Sequence, residues 1–265
     1  MHPIESLVPS ILLLITLSLL MPSSSSEIYY RYTSCAPYVY ICGTAKLNIN
    51  YPFRVDGRPD YCGHPGYYIA CSKDNASMTI SINNKGYQVK AVDYLNHLIT
   101  VVDQRFVAQP CPRPYENTSI DYSLYTCSDR DRNATLYIDC RALPASLLAG
   151  VYEISCAFNG TTRRRWYYQL SQGIHSNLMG RCNSTVMVPM HQTTANDLAN
   201  KKLNFGEAVK EGFSVSWTAG NGWCSDCTNS GGRCGYDSLS PTSHACHCQN
   251  GAAITKCYKG TFVDT

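Results

Sequence analysis

After its first 26 residues, the sequence has no stretch that approaches the roughly 18 to 20 apolar residues of a transmembrane helix. Charge is also scarce, because Asp, Glu, Lys and Arg make up 15% of the chain and the formal net charge is +3. A charge this small does not by itself predict a polyanionic partner. Glycine loops that cradle phosphate, kinase catalytic motifs and the Gly-x-Ser-x-Gly esterase elbow are all missing. These absences argue against a membrane-spanning segment, a kinase and a serine esterase.

The beginning of the chain has the pattern of a signal peptide. Ile11–Met21 is largely apolar, is too short to span a bilayer, and ends in Pro22 and the small residues Ser23–Ser26. We predict a signal peptide over residues 1–26 and a secreted, extracellular mature protein. That compartment disfavours nucleic acid as a partner.

Fifteen cysteines follow this segment. In an oxidising compartment they predict a disulfide framework, and an odd number leaves one thiol without an internal partner. We predict that this thiol is Cys257, because it lies close to a chain end. The cysteines predicted to form disulfides are Cys35, Cys42, Cys62, Cys71, Cys111, Cys127, Cys140, Cys156, Cys182, Cys224, Cys227, Cys234, Cys246 and Cys248.

The C-terminal cysteines allow two other interpretations. Cys224-x-x-Cys227 is the spacing of a thioredoxin-like redox pair, and with His244 and His247 the cluster could bind zinc. Structural disulfides are favoured, since no βαβ pattern surrounds the pair and the compartment is oxidising. We therefore expect no metal and no cofactor.

Asn-x-Ser/Thr triplets support export. Five occur between the signal peptide and Cys224, and N-glycosylation at any of them marks a surface position. They are Asn75, Asn117, Asn133, Asn159 and Asn183.

Short segments with β-branched, aromatic and alternating character recur along the chain and predict strands. They are Tyr67–Cys71, Met78–Ile82, Tyr87–Val92, His97–Val102, Thr135–Asp139, Val151–Ala157 and Phe213–Trp217. Asn84-Lys85-Gly86 and Asn159-Gly160 predict hairpin turns. A short helix is expected at 196–202 or at 204–211. For the second range, Asn204 and Glu207 suit a capping box at the start, and Gly212 suits the end of the helix. The predicted fold is mainly β and disulfide-rich, with at most one or two short helices.

The segment 35–103 carries a recognisable motif. It contains Tyr51-Pro52-Phe53-Arg54, the run from Gly57 to Tyr67 around Cys62-Gly63, and Cys71, after the opening Cys35 and Cys42-Gly43. This arrangement closely resembles the galacturonan-binding domain of plant wall-associated receptor kinases and their leaf-rust-resistance-type relatives. The resemblance implies a domain that binds pectin without catalysis.

A second resemblance covers 111–251. It rests on Gly212-Phe213-Ser214-Val215-Ser216-Trp217, Cys224-Ser225-Asp226-Cys227, Ser230 to Tyr236 and Cys246-His247-Cys248. These residues are similar to the C-terminal wall-associated kinase domain. We place a joint at the prolines between 109 and 114, and a tail at 252–265. Family receptors continue into a membrane helix and a kinase, so we expect a soluble receptor-like ectodomain without kinase activity, in the apoplast or cell wall.

A galacturonan site needs cations spaced along the polymer and flat side chains against the sugar rings. The leading candidates for contact with the sugar carboxylates are Arg54 and Arg58, because they flank an expected turn at Asp56-Gly57. Tyr51 and Tyr61 lie beside them in the sequence and are the candidate stacking residues. The alternative places Tyr51, Pro52 and Phe53 in the core and pairs Arg58 with Asp60. The further candidates in this domain are His64, Lys46 and Lys90.

The run Arg163 to Tyr168 in the second predicted domain is the densest basic and aromatic stretch. We name Arg164 and Trp166 as ligand candidates there. A solvated strand with Trp166 packed inward is the alternative explanation.

Two rival functions remain open. One is a protein-interaction role, as a decoy or co-receptor fragment that contacts receptor kinases at the cell surface, with the unpaired cysteine joining the partner. The other is a secreted glycosidase, which needs only two suitably separated carboxylates, although no Glu lies in a pattern that we link to catalysis.

Overall fold

The structure is a computed structural model that describes residues 30–74, 76–112, 116–156, 165–170, 178, 180–237 and 240–258. The predicted signal peptide, the sequons at Asn75 and Asn159, the Asn159-Gly160 turn and Arg164 lie outside these residues.

The strands are β1 (Tyr38–Cys42), β2 (Ala45–Ile49), β3 (Ile69–Cys71), β4 (Met78–Ile82), β5 (Lys85–Asp93), β6 (Leu98–Asp103), β7 (Tyr125–Cys127), β8 (Asp131–Cys140), β9 (Tyr152–Ile154), β10 (Arg165–Gln169), β11 (Ser184–His191), β12 (Phe213–Trp217), β13 (Arg233–Asp237), β14 (Ser240–Cys248) and β15 (Gly251–Ala253). The helices are α1 (Gln104–Ala108), α2 (Gln192–Ala199), α3 (Phe205–Glu211) and α4 (Trp223–Asn229). Residues 30–34 are also helical, and Asp60–Cys62 and Ala145–Leu147 form 3₁₀ turns.

Four antiparallel sheets are formed by the described strands. Their strand orders are β1-β2, β3-β4-β5-β6-β12-β7, β11-β8-β10-β9 and β13-β14-β15. The mainly β class is therefore confirmed. The helices exceed the predicted one or two, but each of the labelled helices has only five to eight residues.

The largest sheet joins the two segments that the sequence suggested as separate domains. β12 pairs with β6 on one side, with Val215 opposite Ile99, and with β7 on the other. Phe213, Val215 and Trp217 are buried together with the inward residues of β4 and β6. The domain limits at 103 and 111 stay a prediction, whereas the folded sheet is continuous across them.

The β4–β5 hairpin was predicted correctly, but its turn lies one residue earlier than expected. Ile82 pairs with Lys85, so Asn83 and Asn84 are the two turn residues. Both have positive φ, at 51° and 60°. Asparagine tolerates this left-handed conformation better than most residues, which explains why this turn forms without glycine.

The four-stranded sheet packs against α2 and α3. The predicted capping box is present: Asn204 Oδ1 accepts from the Glu207 amide at 3.0 Å, and Glu207 Oε2 accepts from the Asn204 amide at 2.9 Å. Gly212 ends the helix with φ at 82°. A Cβ there would lie 2.4 Å from the Val101 carbonyl oxygen, so the stop requires glycine.

Seven disulfides connect fourteen of the cysteines, and each joins two cysteines that are at most 45 residues apart in the sequence. They are Cys35–Cys62, Cys42–Cys71, Cys111–Cys156, Cys140–Cys182, Cys224–Cys234, Cys227–Cys246 and Cys248–Cys257.

The prediction that Cys257 is unpaired was wrong. β15 turns back along β14, and the Cys257 amide donates to Ser230 Oγ at 2.7 Å, so the following chain stays beside Cys248. The free cysteine among the described residues is instead Cys127, which is exposed at the end of β7. It had been predicted to form a disulfide.

Three of the sequons, Asn117, Asn133 and Asn183, are exposed, as glycosylation requires. Their modification stays a prediction. Across the described ranges, no helix is long and apolar enough to cross a membrane.

Candidate glycan-binding surface

The segment from Asn50 to Ile69 carries most of the predicted ligand residues. The Cys35–Cys62 disulfide ties it to the helical turn at 30–34, and it contacts the body of the sheet through backbone hydrogen bonds. The Arg54 amide donates to the Tyr67 carbonyl at 2.9 Å, and the Ile69 amide donates to the Arg54 carbonyl at 2.8 Å. A segment held in this way presents its side chains from a fixed backbone.

Tyr51 does not present its ring to solvent, so its prediction as a stacking residue was wrong. Tyr51, Pro52 and Phe53 are all buried, as the alternative interpretation proposed. The Tyr51 ring packs edge-on against Trp223 with centroids 5.4 Å apart, and burial raises the pKa of its hydroxyl. Tyr51 therefore connects the segment to the C-terminal cysteine cluster.

Arg54 and Arg58 lie on either side of the expected turn, in which Gly57 has φ at 77°. Arg54 forms an ion pair with Asp60. The alternative that assigned Asp60 to Arg58 was wrong about the partner. Arg58 instead donates from Nη2 to the Ala36 carbonyl at 2.5 Å.

The Arg58 guanidinium also lies over the ring of Tyr38, with Cζ 5.1 Å from the ring centroid. Tyr38 is 42% exposed. Burial lowers the pKa of Arg58, and the nearby hydroxyls of Tyr38 and Tyr61 oppose that shift.

Tyr61 is half-buried in the 3₁₀ turn, and the Arg31 guanidinium lies over its ring, 5.2 Å from the centroid. His64 packs edge-on against Tyr67 and Tyr236, with centroids 5.1 and 5.2 Å away. Burial lowers the pKa of His64. Its position between two tyrosine rings gives it a packing role.

We call Arg31, Tyr38, Arg54, Arg58 and Tyr61 the arginine–tyrosine surface. Sequence reasoning missed Arg31 and Tyr38, which precede the recognised loop and meet it through the Cys35–Cys62 disulfide and through their contacts with Tyr61 and Arg58. In the sequence, the signal for this surface is an arginine close to a tyrosine. Which tyrosine each arginine contacts depends on the fold and could not be predicted.

Lys46 and Lys90 are exposed on other strands. Lys46 lies on β2 opposite Ile41, and Lys90 lies on β5 where the pairing with β6 shifts register. Among the described residues, no hydrogen bond or ion pair connects either lysine to the arginine–tyrosine surface.

The prediction of Trp166 as a ligand residue was wrong. Its side chain is 1% exposed within the core of the second sheet, and its Nε1 donates to Asp139 Oδ1 at 3.2 Å. The neighbouring Arg165 pairs with Glu153 at 3.3 Å. Arg165–Gln169 is a strand with its tryptophan packed inward.

The carboxylates nearest the arginine–tyrosine surface are already engaged. Asp60 pairs with Arg54, and Asp56 accepts a hydrogen bond from the Tyr68 hydroxyl, which raises the pKa of Tyr68 to about 12. In the C-terminal cluster the sulfurs of Cys246, Cys248 and Cys257 lie within 4.8 Å of one another, but all three belong to disulfides. They are therefore not thiolate ligands for zinc.

These features define a disulfide-stabilised β protein with a surface of arginines stacked on tyrosines. Residues 35–103 match the family model described as "Wall-associated receptor kinase galacturonan-binding", and residues 155–251 match "Wall-associated receptor kinase C-terminal". The chain therefore carries both of the domains that these two family models describe.

Curated relatives agree with this assignment. The chain is 27% identical over 230 residues to leaf rust 10 disease-resistance locus receptor-like protein kinase-like 1.2 from Arabidopsis thaliana, a match that covers 84% of this chain and 33% of the relative. The like 2.1 protein of the same plant is 27% identical, with 87% of this chain and 36% of the relative covered. The chain thus spans about a third of the length of these relatives. No solved structure matches it.

Proposed function

We propose that this protein binds galacturonan without cleaving it, outside the cell at the plant wall, and that the arginine–tyrosine surface is the binding site. The observation that carries the proposal is the Arg58 guanidinium over the exposed ring of Tyr38, within the domain that matches the galacturonan-binding family. Oligogalacturonides and pectin are the proposed ligands.

The chemistry of the two partners is complementary. Each unesterified sugar of a galacturonan carries one carboxylate, and its pyranose ring offers a flat face. An arginine that stacks on a ring keeps its in-plane N–H donors, which can bind a carboxylate with two parallel hydrogen bonds. Such charge-assisted contacts contribute on the order of 1.5 to 3 kcal/mol each, so a few suffice for useful affinity.

The state of the nearby acids supports binding rather than hydrolysis. A glycosidase uses one carboxyl group as an acid and a second as a nucleophile or base, and both must reach the sugar. Here Asp60 is held by Arg54 and Asp56 by Tyr68. These contacts favour a structural role for both carboxylates.

Arginine variants test the site. We expect Arg58→Ala to weaken binding to immobilised polygalacturonate by about tenfold or more, the size of one charge-assisted contact. Arg54→Ala should weaken it too. The control is Arg141→Ala, which removes the same charge from an exposed position directly after β8. Equal binding by the Arg58 and Arg141 variants would refute the assigned site.

A protein-interaction role is the second candidate. Val39 and Ile41 are 50% and 57% exposed and point outward from the β1–β2 hairpin, as a surface for another protein would. Under this candidate the protein binds neither acidic nor esterified pectin, and Ile41→Glu abolishes its association with a receptor ectodomain. Reducing and non-reducing electrophoresis would show whether Cys127 joins the partner covalently.

A further inference from the structure

The C-terminal cysteine cluster packs directly against the proposed binding site. β13 lies beside the 3₁₀ turn Asp60–Cys62, so closely that a Cβ added to Gly235 would lie 2.3 Å from the Tyr61 carbonyl oxygen. His247, opposite Arg233 in the β13–β14 pair, contacts the Tyr61 ring edge-on at 5.7 Å. The two matched domains therefore meet at Tyr61.

Arg233, which begins β13, repeats the arrangement found in the other domain. Its Cζ lies 5.4 Å from the ring centroid of Tyr32, and Tyr32 directly follows Arg31 on the helical turn at 30–34. Arg31 in turn lies over Tyr61, and Arg58 lies over Tyr38. Three arginine–tyrosine pairs thus follow one another around the Cys35–Cys62 disulfide.

The charge of this region suits an anionic polymer. Four arginines, Arg31, Arg54, Arg58 and Arg233, stand against the two aspartates Asp56 and Asp60, which leaves a net charge of +2. Within the described part of the chain, the buried Nε of Arg233 has no hydrogen-bond partner. That atom is closed to solvent, so a carboxylate would bind the other N–H donors of Arg233, a residue that is partly exposed.

We infer that Arg233 of the C-terminal domain is a ligand-binding residue, and that a polyanionic glycan occupies a continuous track from Tyr38 and Arg58 to Tyr32 and Arg233. This inference rests on the proposed function. Binding of the glycan across the domain boundary would stabilise the contact between the two domains, because a ligand stabilises the arrangement that it binds.

Variants at position 233 test the inference. In calorimetric titrations with an oligogalacturonide of about ten to fifteen sugars, Arg233→Ala should bind about tenfold or more weakly than wild type, since one charge-assisted contact is lost. Arg233→Lys keeps the charge but loses the planar fork, so its affinity should be intermediate. Arg141→Ala should bind like wild type.

Unmodified protein gives a second test that does not depend on a variant folding. Phenylglyoxal modifies arginines, and peptide mass spectrometry measures the rate at each site. Saturating oligogalacturonide should slow the modification of both Arg58 and Arg233, and leave Arg141 unchanged. An unchanged rate at Arg233 together with protection of Arg58 would overturn this inference alone. Failure of wild type to bind would overturn the proposed function and the inference with it.

Discussion

At the scale of single residues, the proposed site depends on how each guanidinium is held. Arg58 has one donor on the Ala36 carbonyl and its face against Tyr38, which fixes its orientation before a ligand arrives. A side chain fixed in this way loses little rotamer freedom on binding. This pre-organisation is the main reason to prefer Arg58 over Lys46 and Lys90, which are exposed.

His64 makes a residue-scale prediction about pH. Burial against Tyr67 and Tyr236 lowers its folded-state pKa below the usual value, so the unfolded chain binds the proton first. Its stabilising contribution is present above about pH 6.5 and is lost as the pH falls toward the folded pKa. In urea titrations, the unfolding free energy should decrease between about pH 7 and pH 5, and His64→Phe should show a smaller decrease. An identical decrease in the variant would contradict this role.

Cys127 makes a second prediction at this scale. It is the free cysteine of the described chain, so a maleimide added in denaturant without reductant should label the peptide that contains Cys127 and add one adduct per chain. Cys127→Ser should abolish the labelling. A labelled peptide containing Cys257 would instead show that the Cys248–Cys257 bond is absent.

At the scale of elements, alternation was a dependable guide to the strands. β4 and β12 have the predicted bounds Met78–Ile82 and Phe213–Trp217, and Met78, Ile80 and Ile82 are the buried residues of β4. The turn between β4 and β5 was predicted at 84–86 because Gly86 can adopt positive φ. In the structure it is Asn83 and Asn84 that take the left-handed conformation.

The β4–β5 turn offers a matched pair of variants. Asn84→Val should lower the unfolding free energy by about 1 to 2 kcal/mol, because a β-branched residue is strained at positive φ. Asn84→Gly should change it by less than about 0.5 kcal/mol, since glycine adopts this conformation freely. Chemical denaturation measures both, and equal effects would contradict the assigned turn.

At the scale of the whole molecule, the feature that local patterns could not predict is the position of β12. Its residues were predicted as a strand, but pairing with β6 joins positions more than one hundred residues apart, as Ser214 and Thr100 illustrate. The disulfide class, the β class and the domain family all follow from composition and motif. Tyr51 and Trp166 were misassigned because an aromatic residue suits a core as well as a sugar.

The shared sheet predicts that the first matched domain is not autonomous. A fragment of residues 30–112 lacks β12 and β7, which leaves β6 as an exposed edge with Ile99 and Val101 uncovered. Such an edge promotes aggregation. In size-exclusion chromatography and thermal unfolding, the fragment should aggregate or unfold without cooperativity, whereas residues 30–258 should be monomeric and unfold cooperatively. A monomeric, cooperatively unfolding fragment would show that β12 is dispensable.

The most direct test of the central claim is a calorimetric titration of the intact protein with oligogalacturonide and with its methyl ester, at low and at high salt. The account predicts that the acidic form alone binds and that affinity falls as salt rises, because the contacts are partly exposed ion pairs. Equal binding of the ester, or binding indifferent to salt, would contradict recognition of carboxylates by arginines.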